Sequence, residues 1–408
     1  MNKKKEIVPK LRFPEFGTSE GWKKYKLREL ADRITKKVGD NKLVTLSISA
    51  GIGFVSQAEK FSRDISGKQY CNYIYLKKGE FSYNKGNSKT FPQGCIYELK
   101  EYEEAAVPNA FISFRFKENL VPSFYQGYFD SNFHGKQLVR FITSGARSDG
   151  LLNISPTDFF SIVLPTPVKK EEQQKIADCL SSIDELIDAE SRKLKALEKY
   201  KKGLMQKLFP AEGKTLPEWR FPEFRGKREW KIKPLGEICT NYDPRRIPIT
   251  EKDRVRGEIP YIGASGVIDY INDFIFDEDL LCVSEDGANL VARTYPIAFS
   301  ISGKTWVNNH AHVLKFFHKS TQNIVESYLN MINLQDFLTG MAQPKLNRAK
   351  LDSIPIPLPE EEEQQKIADC LFEIDTMITE QSNKIEQLKA HKKGLMQGLF
   401  PSLEEADL

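Results

Sequence analysis

The sequence predicts an α+β architecture: two globular domains separated by two long antiparallel coiled-coil helices, the whole related by a pseudo-twofold internal repeat. Three observations carry this reading. A phrase of forty residues occurs twice, over Glu171–Pro210 and Glu362–Pro401, and the copies agree without a gap at 25 of 40 positions. A shorter motif, Arg12-Phe13-Pro14-Glu15-Phe16 followed by Trp22 and Leu27, returns as Arg220-Phe221-Pro222-Glu223-Phe224 followed by Trp230 and Leu235. Between the short and long motifs lie blocks of 151 residues (Trp22 to Gln173) and 134 residues (Trp230 to Gln364) that share little sequence. The reading divides the chain into a first domain over residues 1–165, a helix over 166–212, a second domain over 213–357, and a helix with an acidic tail over 358–408.

The first block reads as strands and turns. Strands are expected over 43–48 and 73–76, and over 110–116, where apolar residues alternate; a helix is expected near 124–132. Then comes the first long helix. Ile176, Leu180, Ile183, Ile187, Leu194, Leu197, Leu204 and Leu208 recur at steps of three and four, broken where Glu190 and Lys201 fall on the seam. This is the heptad period of a coiled coil. Pro165 and Pro167 end the preceding strand, and the glutamates after them suit the positive end of a helix. Gly203 weakens the helix by about 1 kcal/mol, but the seam continues past it. At 1.5 Å per residue the helix reaches roughly 55 Å.

The second block repeats the pattern, with strands expected over 259–262, 280–283 and 313–317 and a helix over 322–338. The second long helix carries Ile367, Leu371, Ile374, Ile378, Ile385, Leu388, Leu395 and Leu399, broken at Gln381 and Lys392. Two such helices in one chain most simply pair with each other, and the connection between them is long enough for an antiparallel arrangement.

Composition bounds the function. Charged residues at 28% and hydrophobic ones at 40% describe an ordinary globular protein, and no apolar run suits a membrane or a signal peptide, so a cytoplasmic location is expected. Six cysteines stand singly at 71, 95, 179, 239, 282 and 370, without the paired spacing of a zinc site; neither disulfides nor metal are expected. The formal charge of +4 divides unevenly: net +2 over 169–209, −7 over 360–408 and +9 over the remainder. Basic charge collects in the variable blocks, as a DNA-facing surface requires.

Several loops in those blocks hold glycine beside the side chains that reach phosphates and base edges. In the first block the candidates are Tyr83, Asn84, Lys85 and Lys89, then Arg147 and Ser148. In the second they are Ser265, Lys304, Asn308, Asn309, His310, Gln343 and Lys345. Signals of catalysis fail on inspection. Ser302-Gly303-Lys304-Thr305 has Ala298 where a phosphate-binding loop needs its first glycine, and Gly51-Ile52-Gly53 lacks the third glycine of a dinucleotide fingerprint. His310 and His312 alternate on a strand and so face opposite ways. No Asn-Pro-Pro loop for a flipped adenine occurs. No chemistry is expected from the chain alone.

The residues Glu-Gln-Gln-Lys-Ile-Ala-Asp-Cys-Leu, Lys-Lys-Gly-Leu-Met-Gln and the Pro-x-Pro entry, present in both halves, resemble the specificity (S, or HsdS) subunits of Type I restriction-modification systems. The resemblance covers essentially the whole chain. It implies two target recognition domains that each read one half of a split asymmetric site in double-stranded DNA, and helices that set the spacer and dock two methyltransferase (M) subunits. It also implies that S-adenosylmethionine, ATP and Mg belong to partner subunits, that restriction (R) subunits join the full complex, and that no membrane is involved. It offers no catalytic residues to carry over. The alternative is a coiled-coil scaffold or adaptor that binds protein rather than DNA; a self-contained modification enzyme is disfavoured by the missing Asn-Pro-Pro loop.

Overall fold

The computed structural model describes residues 7–86, 91–142, 152–340 and 343–401. The chain forms two compact units, Met1–Glu190 with Lys384–Leu408, and Ser191–Asn383. Each contains one α+β domain and half of each long helix. The helices run over Lys170–Leu208 and Glu361–Leu399, 39 residues apiece, passing through Gly203 and Gly394 without a break.

Although their sequences diverge, the two α+β domains share one topology. In the first, Ala31–Arg33, Ile112–Phe116, Phe81–Asn84 and Cys95–Glu98 form a four-stranded sheet in that order; in the second, Thr240–Asn241, Ala311–Lys315, Leu280–Ser284 and Ala298–Ile301 do the same. All neighbouring pairs are antiparallel. The registers correspond at an offset of 200 residues: Phe81 faces Phe114 as Leu281 faces Leu314, and Tyr83 faces Ile112 as Val283 faces His312. A hairpin (Leu46–Ser49 with Gly53–Ser56; Arg256–Gly263 with Gly266–Ile271) and a second antiparallel pair (Ile74–Lys77 with Glu104–Val107; Phe276–Asp277 with Lys304–Val307) complete each domain. A helix follows, Pro122–Asp130 in one and Lys319–Met331 in the other. Finally Lys23–Lys26 pairs with Val163–Thr166, and Lys231–Pro234 with Pro355–Leu358, so the short motif and the proline-rich entry close each domain together.

The repeated motifs explain that closure. Arg12 makes a bidentate pair with Glu172 at 2.8 Å on both oxygens, and Arg220 does the same with Glu363 at 2.7 Å. These side chains are almost fully buried, 8% and 1% exposed in the first pair and 10% and 2% in the second. The second glutamate of each long motif thus clamps its own short motif, a stronger role than favouring a helix terminus. Beside it, Gln173 bonds the Pro167 carbonyl and the Val121 N–H, and Gln364 bonds the Pro359 carbonyl and the Thr321 hydroxyl.

The seam behaves as its period predicts: Ile176, Leu180, Leu208, Ile367, Leu371, Ile374, Ile385 and Leu399 are buried, and the remaining apolar seam positions are half-buried. Pairing is antiparallel within each unit. In the first, Asp184 and Glu190 meet Lys392 and Lys384, so residue numbers rise along one helix as they fall along the other. In the second, Lys201 meets Asp375 while Leu204 and Leu208 share a core with Leu371 and Ile367. The pairs Asp184–Lys392 and Lys201–Asp375 are the same interaction made by the two copies of the repeat, 191 residues apart. The polar breaks Lys201 and Lys392 are therefore the partners of acidic residues on the facing helix.

Charge along the helices favours this orientation. Residues 170–190 hold seven acidic and two basic side chains, and 361–383 hold seven and one; residues 191–208 hold one acidic and seven basic, and 384–399 one and four. Antiparallel pairing sets each acidic half against a basic half, whereas parallel pairing would set like against like.

The first domain's core is aromatic. Phe81, Phe114, Phe124, Tyr125, Tyr128, Phe129 and Phe159 are buried with Ile176 and Leu180 of the first helix and Met396, Leu399 and Phe400 at the end of the second. Phe400 lies against Gly127, where a Cβ would come within 2.4 Å of its ring. In the second domain, Leu208, Phe209, Ile367 and Leu371 take the corresponding places. Among the described residues, no helix is long and apolar enough to cross a membrane.

Candidate nucleic-acid interface

In the second domain four loops converge at one end of the sheets. The hairpin tip is drawn in when the Ser284 hydroxyl donates to the Ala264 carbonyl and Asn308 N–H donates to Ile262 O at 3.0 Å. Glu285 N–H donates to His310 O at 2.9 Å, Gly287 N–H to Pro344 O at 3.1 Å, and Leu346 N–H to Glu285 O at 2.8 Å. This ties the segments around 264, 285, 310 and 345 into one surface. Ser265, Asn309, His310, Gln343 and Lys345 are exposed there. The His310 ring meets Asp286 at 2.8 Å, and Lys345 meets Glu285 at 3.2 Å.

Two residues expected to contact DNA do not present their side chains on this surface. Asn308 is 5% exposed and spends its side-chain oxygen on the His310 N–H, holding the turn. Lys304 begins the strand that ends at Val307, so it stands at the far end of that strand from the loop cluster; its ammonium sits 4.7 Å from the Phe274 ring centre.

Beneath the loops lies a charged layer that the sequence reading missed. Arg246 donates to Glu285 at 2.8 Å and to the Ala311 carbonyl at 2.7 Å. Asp243 accepts from Val313 N–H at 2.8 Å and lies 2.6 Å from His312 Nδ1, whose Nε2 lies 2.7 Å from the Leu346 carbonyl. Burial would raise the Asp243 carboxyl, but the hydrogen bond and charge of His312, the Val313 N–H and Arg246 hold it below the usual carboxylate range. Glu285 is likewise held low against its burial by Arg246, His312 and Lys345. The available signal was the run Asp243-Pro-Arg-Arg246 near a strand end, which composition alone does not connect to His312.

The first domain presents the corresponding end of the same fold. Leu152 N–H donates to Lys85 O at 2.9 Å, the counterpart of Leu346 to Glu285, and Asn84 Nδ2 reaches Ile48 O at the hairpin, the counterpart of Ser284. Asn84 also accepts from Gly86 N–H at 2.9 Å and so shapes the turn. Tyr83 must be withdrawn as a contact. It is fully buried, stacks on Phe159 with centres 4.8 Å apart, and donates its hydroxyl to the Gln93 carbonyl. The alternation that made Phe81–Asn84 a strand turns position 83 inward. Lys89, Arg147 and Ser148 lie outside the described residues. Ile52, at the hairpin tip and 75% exposed, occupies the place of Ser265.

The model of the Type I restriction modification DNA specificity domain matches twice, over residues 19–199 and 227–390, once per half. The chain belongs to this family. A Haemophilus influenzae protein provisionally named a type I restriction enzyme specificity subunit is 34% identical over 152 residues, 37% of this chain and 38% of that one. The type I restriction enzyme MjaVIII specificity subunit of Methanocaldococcus jannaschii is 27% identical over 285 residues, 63% of this chain and 65% of its own length. These alignments span less than two thirds of either relative. The fold is that of a solved S subunit of a Type I restriction-modification system from M. genitalium, with a TM-score of 0.62, 16% identity, and coverage of 97% of this chain and 100% of that one. The specificity-domain family thus accounts for both halves of the repeat.

Proposed function

We propose that this chain is the DNA-reading subunit of a type I restriction-modification assembly. Each α+β domain contacts one half of a bipartite, asymmetric duplex site through its loop end, and the long helices set the spacer and dock two methyltransferase subunits. Adenine methylation with S-adenosylmethionine, and restriction with ATP and Mg, fall to methyltransferase and restriction partners, the chain itself supplying no catalytic group. One observation supports this above the rest: the segment of Asn84 and Lys85 in the first domain and that of Glu285, His310 and Lys345 in the second, from two dissimilar sequences, lie at corresponding ends of one shared fold. Exposed Lys345, His310, Asn309, Gln343 and Ser265 offer the donors and acceptors that read phosphates and base edges.

Single-molecule sequencing of adenine methylation, in a host expressing the chain with its methyltransferase subunit, tests this. The expected motif has two specified parts flanking an unspecified gap. A motif in one uninterrupted piece, or no duplex binding by the purified assembly at any salt concentration, would overturn the reading and leave a protein-binding scaffold in its place. Affinity should fall steeply with salt, as phosphate contacts require.

A further inference from the structure

The two recognition domains share a register, so corresponding positions can be compared directly. Ile112 stands where the second domain has His312, since each faces the equivalent residue of the neighbouring strand. Thr35 stands where the second has Asp243, because Ile34 N–H donates to Ser113 O as Tyr242 N–H donates to Val313 O, both at 2.8 Å. Lys85 replaces Glu285. Among the described residues, the charged layer under the reading loops therefore belongs to the second domain.

Within it His312 has a particular geometry. The ring is 1% exposed. Its Nδ1 faces carboxylates, Asp243 at 2.6 Å and Glu285 at 3.8 Å, and its Nε2 faces the Leu346 carbonyl at 2.7 Å. Every partner is an acceptor, so both contacts are hydrogen bonds only when both nitrogens carry protons. Leu346 adjoins Lys345 and holds Glu285 O, so the ring ties the strand interior to the segment that exposes Gln343 and Lys345.

We propose that His312, as an imidazolium spanning Asp243 and the Leu346 carbonyl, is a positioning residue for the second domain's reading loops, and that it makes recognition of this half-site alone weaken as pH rises. The proposal rests on the DNA-reading function above. Deprotonation leaves one ring nitrogen without a proton against an acceptor, and the bond to Asp243 or to Leu346 is lost. The other charges facing the site are Arg246, Lys345 and Arg348, the last 3.9 Å from Asp243. The neighbouring thiols of Cys239 and Cys282 are pushed up by burial and stay neutral.

The test is selection of duplexes from a randomised library by the full-length assembly at about pH 6.5 and about pH 9, with both half-sites read from the same sequences. Selectivity at one half-site should fall about tenfold at the higher pH, the value of one charge-assisted hydrogen bond, while the other half-site holds. His312→Gln should weaken that same half-site at both values and abolish its pH dependence. His310→Asn, which removes the exposed ring nearby, should alter the level of selectivity at this half-site without abolishing its pH dependence. Unchanged selectivity at both half-sites in the wild type, a parallel loss at both, or a dependence that follows His310 would overturn the proposal while leaving DNA reading intact. Failure to enrich any sequence would overturn both. The wild-type profile decides the matter even if His312→Gln does not fold.

Discussion

Arg12→Ala and Arg220→Ala are the same substitution at equivalent places in the repeat, and they should not cost the same. Each removes two short charge-assisted bonds and leaves a carboxylate buried, 1% exposed for Glu172 and 2% for Glu363. Orphaning a buried charge costs roughly 3–5 kcal/mol. The backbone carbonyls each arginine also serves, Ser19 and Glu20 in one case and Lys227 and Arg228 in the other, are equal in number and cancel. Trp22 is what differs. Its indole N–H donates to Glu172 at 3.0 Å and remains after Arg12 is gone, whereas the Trp230 indole N–H is buried without a hydrogen-bond partner. A bond to a charged group contributes about 1.5–3 kcal/mol, so Arg220→Ala should destabilise its unit by about 1.5 kcal/mol more than Arg12→Ala does its own. Hydrogen exchange separates the units: protection is followed in Ile112–Phe116 for the first and Leu280–Ser284 for the second. Equal losses, or a larger loss from Arg12→Ala, would refute the assignment of Trp22 as a compensating donor.

Three further outcomes are expected. His134 is fully buried and desolvation drives its pKa to about 4, against an opposing contact with the Gly94 carbonyl. The unfolded chain therefore takes up this proton first, and the first unit should lose about 3 kcal/mol as pH falls from 6.5 to 4; urea titrations of wild type and His134→Gln across that range should diverge by this amount. Gly127→Ala drives a methyl into the Phe400 ring and should destabilise the first unit by about 1–3 kcal/mol with little effect on the second, as read by exchange. Four residues inserted in the middle of either long helix should change the length of the unspecified gap in the methylation motif, and an unchanged gap would remove the helices' role in setting it.

The helices were legible because a coiled-coil seam is local: Ile176 through Leu208 reveals itself by period alone. Their antiparallel pairing was legible too, but from a signal that net charge per helix conceals, since values of +2 and −7 average over halves of opposite sign. The strands of both blocks emerged near their true positions, whereas the identity of the two folds did not. Topology is fixed by which strands pair, and the registers of Phe81 with Phe114 and Leu281 with Leu314 use different side chains for the same geometry. Loop chemistry singled out Lys345 and His310, which are exposed, but also Tyr83, whose hydroxyl made it look like a polar contact when its strand phase buried it. The supporting layer of Asp243, Arg246 and His312 was invisible, because its members come from separate strands and loops and meet only after folding.

The first unit is discontinuous, and this orders events during synthesis. Its core is completed by Met396, Leu399 and Phe400, the last of which covers Gly127, so the segment before Glu190 waits for the one after Lys384. At roughly 5–20 residues per second, translation from residue 190 to residue 401 takes about 10–40 s, and throughout that interval the aromatic slot around Phe124 and Tyr128 is open to solvent. The second unit, continuous in sequence, can close meanwhile. A chain cut short before Met396 would thus hold every segment of its second unit and lack the residues that seal its first, so truncation there should unfold the first domain before the second.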